Sequence, residues 1–444
     1  MARQYEVDAP WRLDSRARVR VRILDLSLAG NRDHFLRFDL YPYVAPSVGR
    51  RHFGYWDLPL SRVKERRLEA FLADDTLVVE GSGAPIALRA GWRGKMAFAG
   101  HLMLHVSLWD ASTNPPTMRE VVSSFHAWIR PDGHLPLDQI QIPITQRCNL
   151  QCLYCQRQHA KGLEEADIDD EVLTPLLDTC PHVALVHVQG VGESLLNRRL
   201  FEILRQVRAR LPTDGRTGTC TNATLLTEET ASRLLDTGLD YLFLSLDGAK
   251  AETNDAIRRG SSFDELTRNI ARCVEMRRSR GLKRPWFMLD FVICETNATE
   301  VPDFVDLAGR LGVDSVRFAN RVDHARGRVD VLPEDILAPI LKEAESRAQK
   351  LGLAAVFPRL SRSREPRCPH LQAAIVLLSG DAAPCCAMEP GARPRPPRFF
   401  GNVKDTPLLD LWHGENWTRH RLAVAAGNLP ETCVGCDNNR NLTL

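Results

Sequence analysis

No cysteine occurs before Cys148 in this chain of 444 residues, no apolar run approaches bilayer length, and neither sign of charge prevails. Each absence excludes something. With 58 Lys and Arg against 56 Asp and Glu, a formal net charge of +2, there is no global field to draw the chain onto nucleic acid or an anionic membrane. Lysine is scarce, eight against fifty arginines, which reads as a bias of genome composition. The N-terminus is studded with Arg and Asp and has no apolar core of signal-peptide type. The longest apolar candidate, around 373–378, falls far short of the roughly 20 residues a spanning helix needs. The expectation is a cytoplasmic protein with no membrane and no nucleic-acid partner. Aromatics are few, 7%, but 44% hydrophobic and 26% charged residues suit a folded chain of two or three domains.

Twelve cysteines crowd into the remainder, and in a reducing compartment they point to metal ligands or buried apolar thiols rather than disulfides. That shift also marks a boundary. Before it, period-two segments at 18–23, 35–41, 76–80, 101–108 and 121–129, with one helix at 61–72, predict a mainly β, sandwich-like domain over 1–138. A small winged-helix peptide-binding domain would need more helix. His101 and His105 lie four apart, but in an alternating segment that strand geometry explains.

From 139 the pattern alternates. Candidate strands at 139–144, 183–188, 215–219, 241–246, 286–293 and 315–318 interleave with amphipathic helices at 200–210, 227–236, 263–278 and 301–311. Six β-α units over 139–330 predict an α/β fold with a parallel sheet curled as a partial TIM barrel, (β/α)6, whose chemistry sits at the C-terminal strand ends. After a helix at 333–351, the segment 331–444 turns Pro- and Arg-rich and predicts a small, loop-dominated C-terminal domain.

Directly after the first strand stands Cys148-Asn-Leu-Gln-Cys152-Leu-Tyr-Cys155. Three thiolates at C-x3-C-x2-C can wrap three corners of a cubane cluster and leave the fourth iron open to a ligand. The competitor is zinc held by the three thiolates and His159. Gln189-Gly190-Val191-Gly192-Glu193-Ser194 follows the second strand, Thr221-Asn222-Ala223 the third, and Ser245-Leu246-Asp247-Gly248 the fourth. Glycine lets a backbone approach a ligand, and a carboxylate accepts from an ammonium.

These motifs resemble the radical S-adenosylmethionine (SAM) superfamily over about 139–318. The resemblance implies that Cys148, Cys152 and Cys155 hold a [4Fe-4S] cluster whose fourth iron is chelated by SAM, with Tyr154 packing near the adenine. It implies that Gly190, Gly192 and Glu193 serve the SAM methionyl group in a Gly-Gly-Glu-Pro-like loop, although Val191 and Ser194 replace the usual Gly and Pro. Asn222, Ser245 and Asp247 are implied to reach ribose or carboxylate, and Arg258 or its neighbour Arg259 to pair with a carboxylate. Cys368, with Gly380 and Cys385 beyond it, and Cys433-Val-Gly-Cys436 resemble the twitch form of the SPASM auxiliary domain. That resemblance implies one further [4Fe-4S] cluster on Cys368, Cys385, Cys433 and Cys436, with a four-thiolate zinc as the rival. Cys386 in an extended chain points away from Cys385 and is a candidate hydrogen-atom donor, whereas Cys180, Cys220, Cys273 and Cys294 read as core.

The implied activity is an oxidoreductase or maturase in which reductive cleavage of SAM to a 5′-deoxyadenosyl radical precedes hydrogen abstraction from a substrate C–H bond. An external donor such as flavodoxin or ferredoxin is implied. The favoured substrate is a ribosomally made peptide (RiPP); the alternatives are a sugar, aminocyclitol or other small natural-product intermediate. A reading of another class is a non-catalytic zinc or iron-sulfur binding protein.

Overall fold

The computed structural model describes the N-terminal strands and residues 137–160, 163, 165–213, 215–323, 328–358, 360, 373–385 and 399–425. Two compact units result, one of the residues before 137 together with 418–425, the other of residues 137–417. The first unit holds β1 (Tyr5–Asp8), β2 (Arg18–Ile23), β3 (His34–Pro42), β4 (Gly54–Pro59), β5 (Arg67–Ala73), β6 (Thr76–Glu80), β7 (Ile86–Arg89), β8 (His101–Asp110) and β9 (Thr117–Trp128). They form two antiparallel sheets, ordered β1-β2-β5-β6-β7 and β4-β3-β8-β9. His101 and His105 lie within β8, as the alternation requires.

Of the helix expected at 61–72, residues 61–66 lie outside the described residues and the rest is not helical. Residues Arg67–Ala73 are a strand, and Leu68 and Ala70 stand opposite Val21 and Val19 while Leu72 stands opposite Leu77. The segment is rich in good helix formers, but pairing on both edges overrides a preference of a few tenths of a kcal/mol per residue, roughly.

The second unit runs β10 (Gln139–Ile142), α1 (Asp170–Thr179), β11 (Leu185–Val188), α2 (Leu200–Arg210), β12 (Arg216–Thr221), α3 (Glu228–Leu235), β13 (Tyr241–Ser245), α4 (Ala251–Ile257), α5 (Phe263–Ser279), β14 (Trp286–Ile293), α6 (Val301–Leu311) and β15 (Ser315–Asn320). Beyond these come β16 (Val322–Asp323), β17 (Arg328–Val329), α7 (Glu334–Leu351), β18 (Ala354–Val356), β19 (Ala373–Val376), β20 (Ala382–Ala383) and α8 (Leu408–His413), followed by α9 (Glu415–Ala425), of which only the first three residues belong to this unit. One nine-stranded sheet is ordered β18-β15-β14-β13-β12-β11-β10-β19-β20, parallel throughout except at β19–β20. Its six central strands are the partial barrel. The loop-dominated reading of 331–444 is too spare, because α7, three strands of this sheet and two further helices come from it.

Parallel strands are covered on both faces, which is why β11 and β19 are buried at every position. Helix α2 buries Leu200, Phe201, Ile203, Leu204 and Val207, a single face at helical spacing. At the N-terminal ends of the strands one device appears twice. Near the end of α3 and of α6 a glycine takes a left-handed turn, Gly238 at φ 72° and Gly312 at φ 71°, and two residues later an aspartate stands just before the next strand. Asp240 accepts from Thr217 N of β12 and Asp314 from Phe287 N of β14, so each aspartate stitches its strand to the preceding one. Among the described residues no helix is long and apolar enough to cross a membrane.

Candidate functional site

The C-terminal ends of β10 to β13 carry the motif loops, and hydrogen bonds tie these into one surface. The cysteine loop is zipped to the end of α4: Gln151 N donates to Arg259 O at 3.0 Å and Leu153 N to Ile257 O at 2.8 Å. Cys148, Cys152 and Cys155 are half-buried free thiols on that loop. Burial pushes the Cys152 thiol up to about 11, with the Arg258 guanidinium pulling the other way.

The two glycines of the second loop are required by protein backbone. A Cβ on Gly190 would lie 2.4 Å from Thr145 O, and one on Gly192 would lie 2.2 Å from Arg147 O. The loop therefore lies against the strand exit that leads into the cysteines, with Gly192 N donating to Thr145 O and Glu193 N to Arg147 O. What those positions approach is the chain itself, where the sequence suggested a ligand.

Glu193 is buried, and its carboxylate organises the third loop. Oε1 accepts from Thr221 Oγ1 at 2.7 Å and Leu195 N at 3.1 Å, and Oε2 accepts from Asn222 N at 2.6 Å. A carboxylate offers about four acceptor positions, so one remains, on Oε2. Burial pushes this carboxyl up while the Asn222 and Thr221 bonds pull it back. Asn222 donates to Asn149 Oδ1 of the cysteine loop at 3.0 Å, and Asn149 in turn donates to Thr224 Oγ1 at 2.8 Å. The next residue, Ala223, holds φ at 63°, a left-handed position that suits glycine.

Ser245 closes β13 half-buried. Asp247 is buried beyond it: Oδ1 accepts from Val292 N at 2.8 Å, and Oδ2 lies 2.9 Å from Arg258 Nε. Of the two arginines that the sequence left open, Arg259 is exposed, whereas the Arg258 side chain is 12% exposed and lies within electrostatic range of Asp247, Cys152, Asp290 and Cys155. The Arg258 Nε–H is buried and has no aligned acceptor despite its nearness to Asp247. Tyr154 is half-buried under Arg321, whose Cζ sits 4.6 Å from the ring centroid. Cys385 is half-buried after β20, while Cys368, Cys386, Cys433 and Cys436 lie outside the described residues.

Residues 142–308 match the family model of the radical SAM superfamily, and residues 368–437 that of an iron-sulfur cluster-binding domain, SPASM. The chain carries a radical SAM domain. A tungsten-containing aldehyde ferredoxin oxidoreductase cofactor-modifying protein of Pyrococcus furiosus is 26% identical over 67% of the chain and 86% of its own length. A PqqA peptide cyclase of Xanthomonas campestris is 28% identical over 67% and 78%. The crystal structure of Streptococcus suis SuiB bound to the precursor peptide SuiA shares the fold, with a TM-score of 0.50 at 16% identity, over 69% of this chain and 70% of that one.

A radical SAM domain takes SAM and a [4Fe-4S] cluster, and a SPASM domain takes auxiliary iron-sulfur. The residues on the cysteine loop fit the first pair. Three thiols free of disulfides, an orphaned buried guanidinium donor and a single spare carboxylate acceptor make a donor set suited to iron and to a zwitterionic amino acid. Among the described residues no three Cys, His, Asp or Glu side chains converge on one point that a single metal ion would occupy. The side chain of His159, the fourth ligand of the zinc alternative, lies outside the described residues.

The motifs pass over several residues of this network. Asn297, fully buried, donates to Asp247 O and Val292 O and accepts from Cys294 N. Asn254 accepts from Asp247 N. Asp290 in the strand Trp-Phe-Met-Leu-Asp-Phe-Val-Ile did carry a signal, a charge among apolar residues, and Arg317 in Ser-Val-Arg-Phe-Ala-Asn carries a weaker one. Cys180, Cys273 and Cys294 are buried as expected, but Cys220 is half-buried, and burial pushes its thiol up to about 12.

Proposed function

We propose that the chain is a radical SAM enzyme that removes hydrogen from a C–H bond of a ribosomally made peptide. The observation that carries the catalytic part is the cysteine loop docked on α4 with the orphaned Arg258 donor beside it. Bound SAM and its cluster supply a one-electron route to an organic radical strong enough for an unactivated C–H bond, which no side-chain acid or base can attack. The chain's own work is to hold, orient and exclude water. Cys148, Cys152 and Cys155 ligate three irons. The free position on Glu193 Oε2 accepts an ammonium N–H, and Arg258 donates to a carboxylate, with Asp247 and Asn297 keeping the guanidinium in place. Gly190 and Gly192 keep the loop close enough for Glu193 to do so, Asn222 and Ser245 offer hydrogen bonds to the ribose, and Tyr154 faces the adenine. Cys368, Cys385, Cys433 and Cys436 hold auxiliary iron-sulfur within 331–444, 139–330 is the barrel, and 1–138 grips the peptide's leader. Electrons arrive from a cytoplasmic flavodoxin or ferredoxin.

Support for a peptide comes from the relationship to a PqqA peptide cyclase over 67% of this chain. A second reading, modification of a small cofactor precursor, is favoured by the comparable relationship to a cofactor-modifying protein. Anaerobic reconstitution with iron and sulfide tests the shared part. About eight irons per chain, falling to about four in the Cys148→Ala/Cys152→Ala/Cys155→Ala variant, are expected; zinc in place of iron overturns the reading. Incubation with SAM, a strong reductant and a short peptide encoded beside the gene then separates the substrates. Loss of two hydrogens or a changed residue configuration supports the peptide, and turnover of a small molecule alone sinks it.

A further inference from the structure

The strand register places three polar residues in one row across the barrel: Ser245 of β13 pairs with Asp290 of β14, and Asp290 with Arg317 of β15. The row one residue earlier, Leu244, Leu289 and Val316, is wholly buried, and on that same face Phe291 and Phe318 pack against Phe304 of α6. Successive side chains in a strand point to opposite faces, so Ser245, Asp290 and Arg317 face the hollow of the barrel. They share that side with Cys220 and Phe243, which pair with one another in an adjacent row.

Asp290 and Arg317 form a fork. Arg317 Nε donates to Oδ1 at 2.9 Å and Nη2 to Oδ2 at 2.5 Å, and the guanidinium lies over the Phe243 ring with Cζ 4.9 Å from its centroid. One edge and one face of the guanidinium are thereby fixed, and Nη1 is left over. The pair is partly open, 41% of the Arg317 and 21% of the Asp290 side chain being exposed. A pair this exposed adds little to stability, and a barrel interior is by default filled with branched apolar side chains. Its place argues for binding. Asp290 also lies within electrostatic range of Arg258, so the fork adjoins the cofactor end of the hollow.

The charges of the fork cancel, which suits it poorly to an ion. What it offers is a donor, Arg317 Nη1, beside an acceptor, since each Asp290 oxygen has given up only one of its lone pairs to the arginine. A donor next to an acceptor is complementary to an amide, whose carbonyl accepts and whose N–H donates. We propose that Asp290 and Arg317 form an amide-recognition subsite that holds a peptide bond or carboxamide of the substrate against the reacting end of the barrel. This rests on the peptide reading above.

The test uses the reconstituted, SAM-loaded protein and two sets of probes, N-acetyl amino acid N-methylamides and polyols such as myo-inositol, followed by saturation-transfer NMR. Wild type is expected to bind at least some capped amides, and Arg317→Met to weaken them by about tenfold or more, the size of a lost charge-assisted hydrogen bond. Arg317→Lys, which keeps the charge but loses the fork, is expected to recover only part of that affinity. Iron content and melting temperature report whether each variant is folded and loaded. Capped amides that bind equally to wild type and Arg317→Met overturn the subsite, as does an Arg317→Met protein that melts like wild type but no longer takes up iron. Binding of polyols alone, dependent on Arg317, overturns the amide assignment and the peptide reading together. Amide binding in a protein that turns over only a small molecule overturns the peptide reading and leaves the subsite standing.

Discussion

Strand β13 has a buried aspartate just outside each end, and the two are treated differently. Asp240, at the N-terminal end, draws Arg208 at 3.1 Å, Arg216 at 2.9 Å and Arg284, and accepts from Thr217 N at 2.9 Å. Asp247, at the C-terminal end, has one arginine, and that arginine keeps a buried N–H without an aligned acceptor. Three guanidinium groups on one carboxylate complete a clamp. One guanidinium held by a single carboxylate keeps donors to spare, which suits the carboxylate-holding role proposed for Arg258. The contrast follows the general rule for barrels, stability at the N-terminal face and chemistry at the C-terminal one.

The largest expected effect breaks the contrast at its active end. Arg258→Lys keeps the charge opposite Asp247 but loses the planar fork, and SAM cleavage measured as 5′-deoxyadenosine should fall by about tenfold to a hundredfold. The melting temperature should move little. A variant that melts early and still cleaves SAM would make Arg258 another clamp. At the other end, Asp240→Asn removes the charge that gathers three arginines and should cost about 2–4 kcal/mol in denaturant unfolding, with cleavage per folded molecule unchanged. Lost cleavage at full stability there would erase the difference between the faces. The smallest effect sharpens it: Ala223→Gly relieves the left-handed backbone in the third loop and should stabilise by about 0.5–1 kcal/mol, after allowing for the greater freedom of glycine when unfolded. No gain would mean that the C-terminal loops carry no such strain.

Much of the barrel was legible because its signals are local. Helices α2 and α6 fall at their expected residues, and all six barrel strands stand within a few residues of expectation. Helix α1 escaped notice. Its capping signal, Asp169 accepting from Val172 N, stands before a segment with Pro175 inside it, and proline ordinarily argues against helix. Residues 67–72 depart from expectation for the opposite reason, strong helix formers placed where two neighbouring strands need a partner.

Within the site, the three cysteines announce themselves by spacing, as does the glycine loop, though for another physical reason than the one first assigned to it. Arg258 and Arg259 could not be told apart in sequence, since adjacent residues at a helix end differ only in the direction they face. Asp290 and Arg317 lie 27 residues apart and become neighbours only through the register of β14 and β15.

The sequence by itself determined which chemistry the chain can carry: three thiols at cluster spacing, a carboxylate behind two glycines, and alternating strands and helices to set them on one face. Only the tertiary structure decided which arginine turns inward, that the glycines are packed on backbone, that Glu193 has one acceptor position left, and that a charged fork faces the barrel hollow. Spacing and periodicity are properties of neighbouring residues. Burial, register and the count of unused hydrogen bonds are set by groups far apart in the chain and exist only once it has folded.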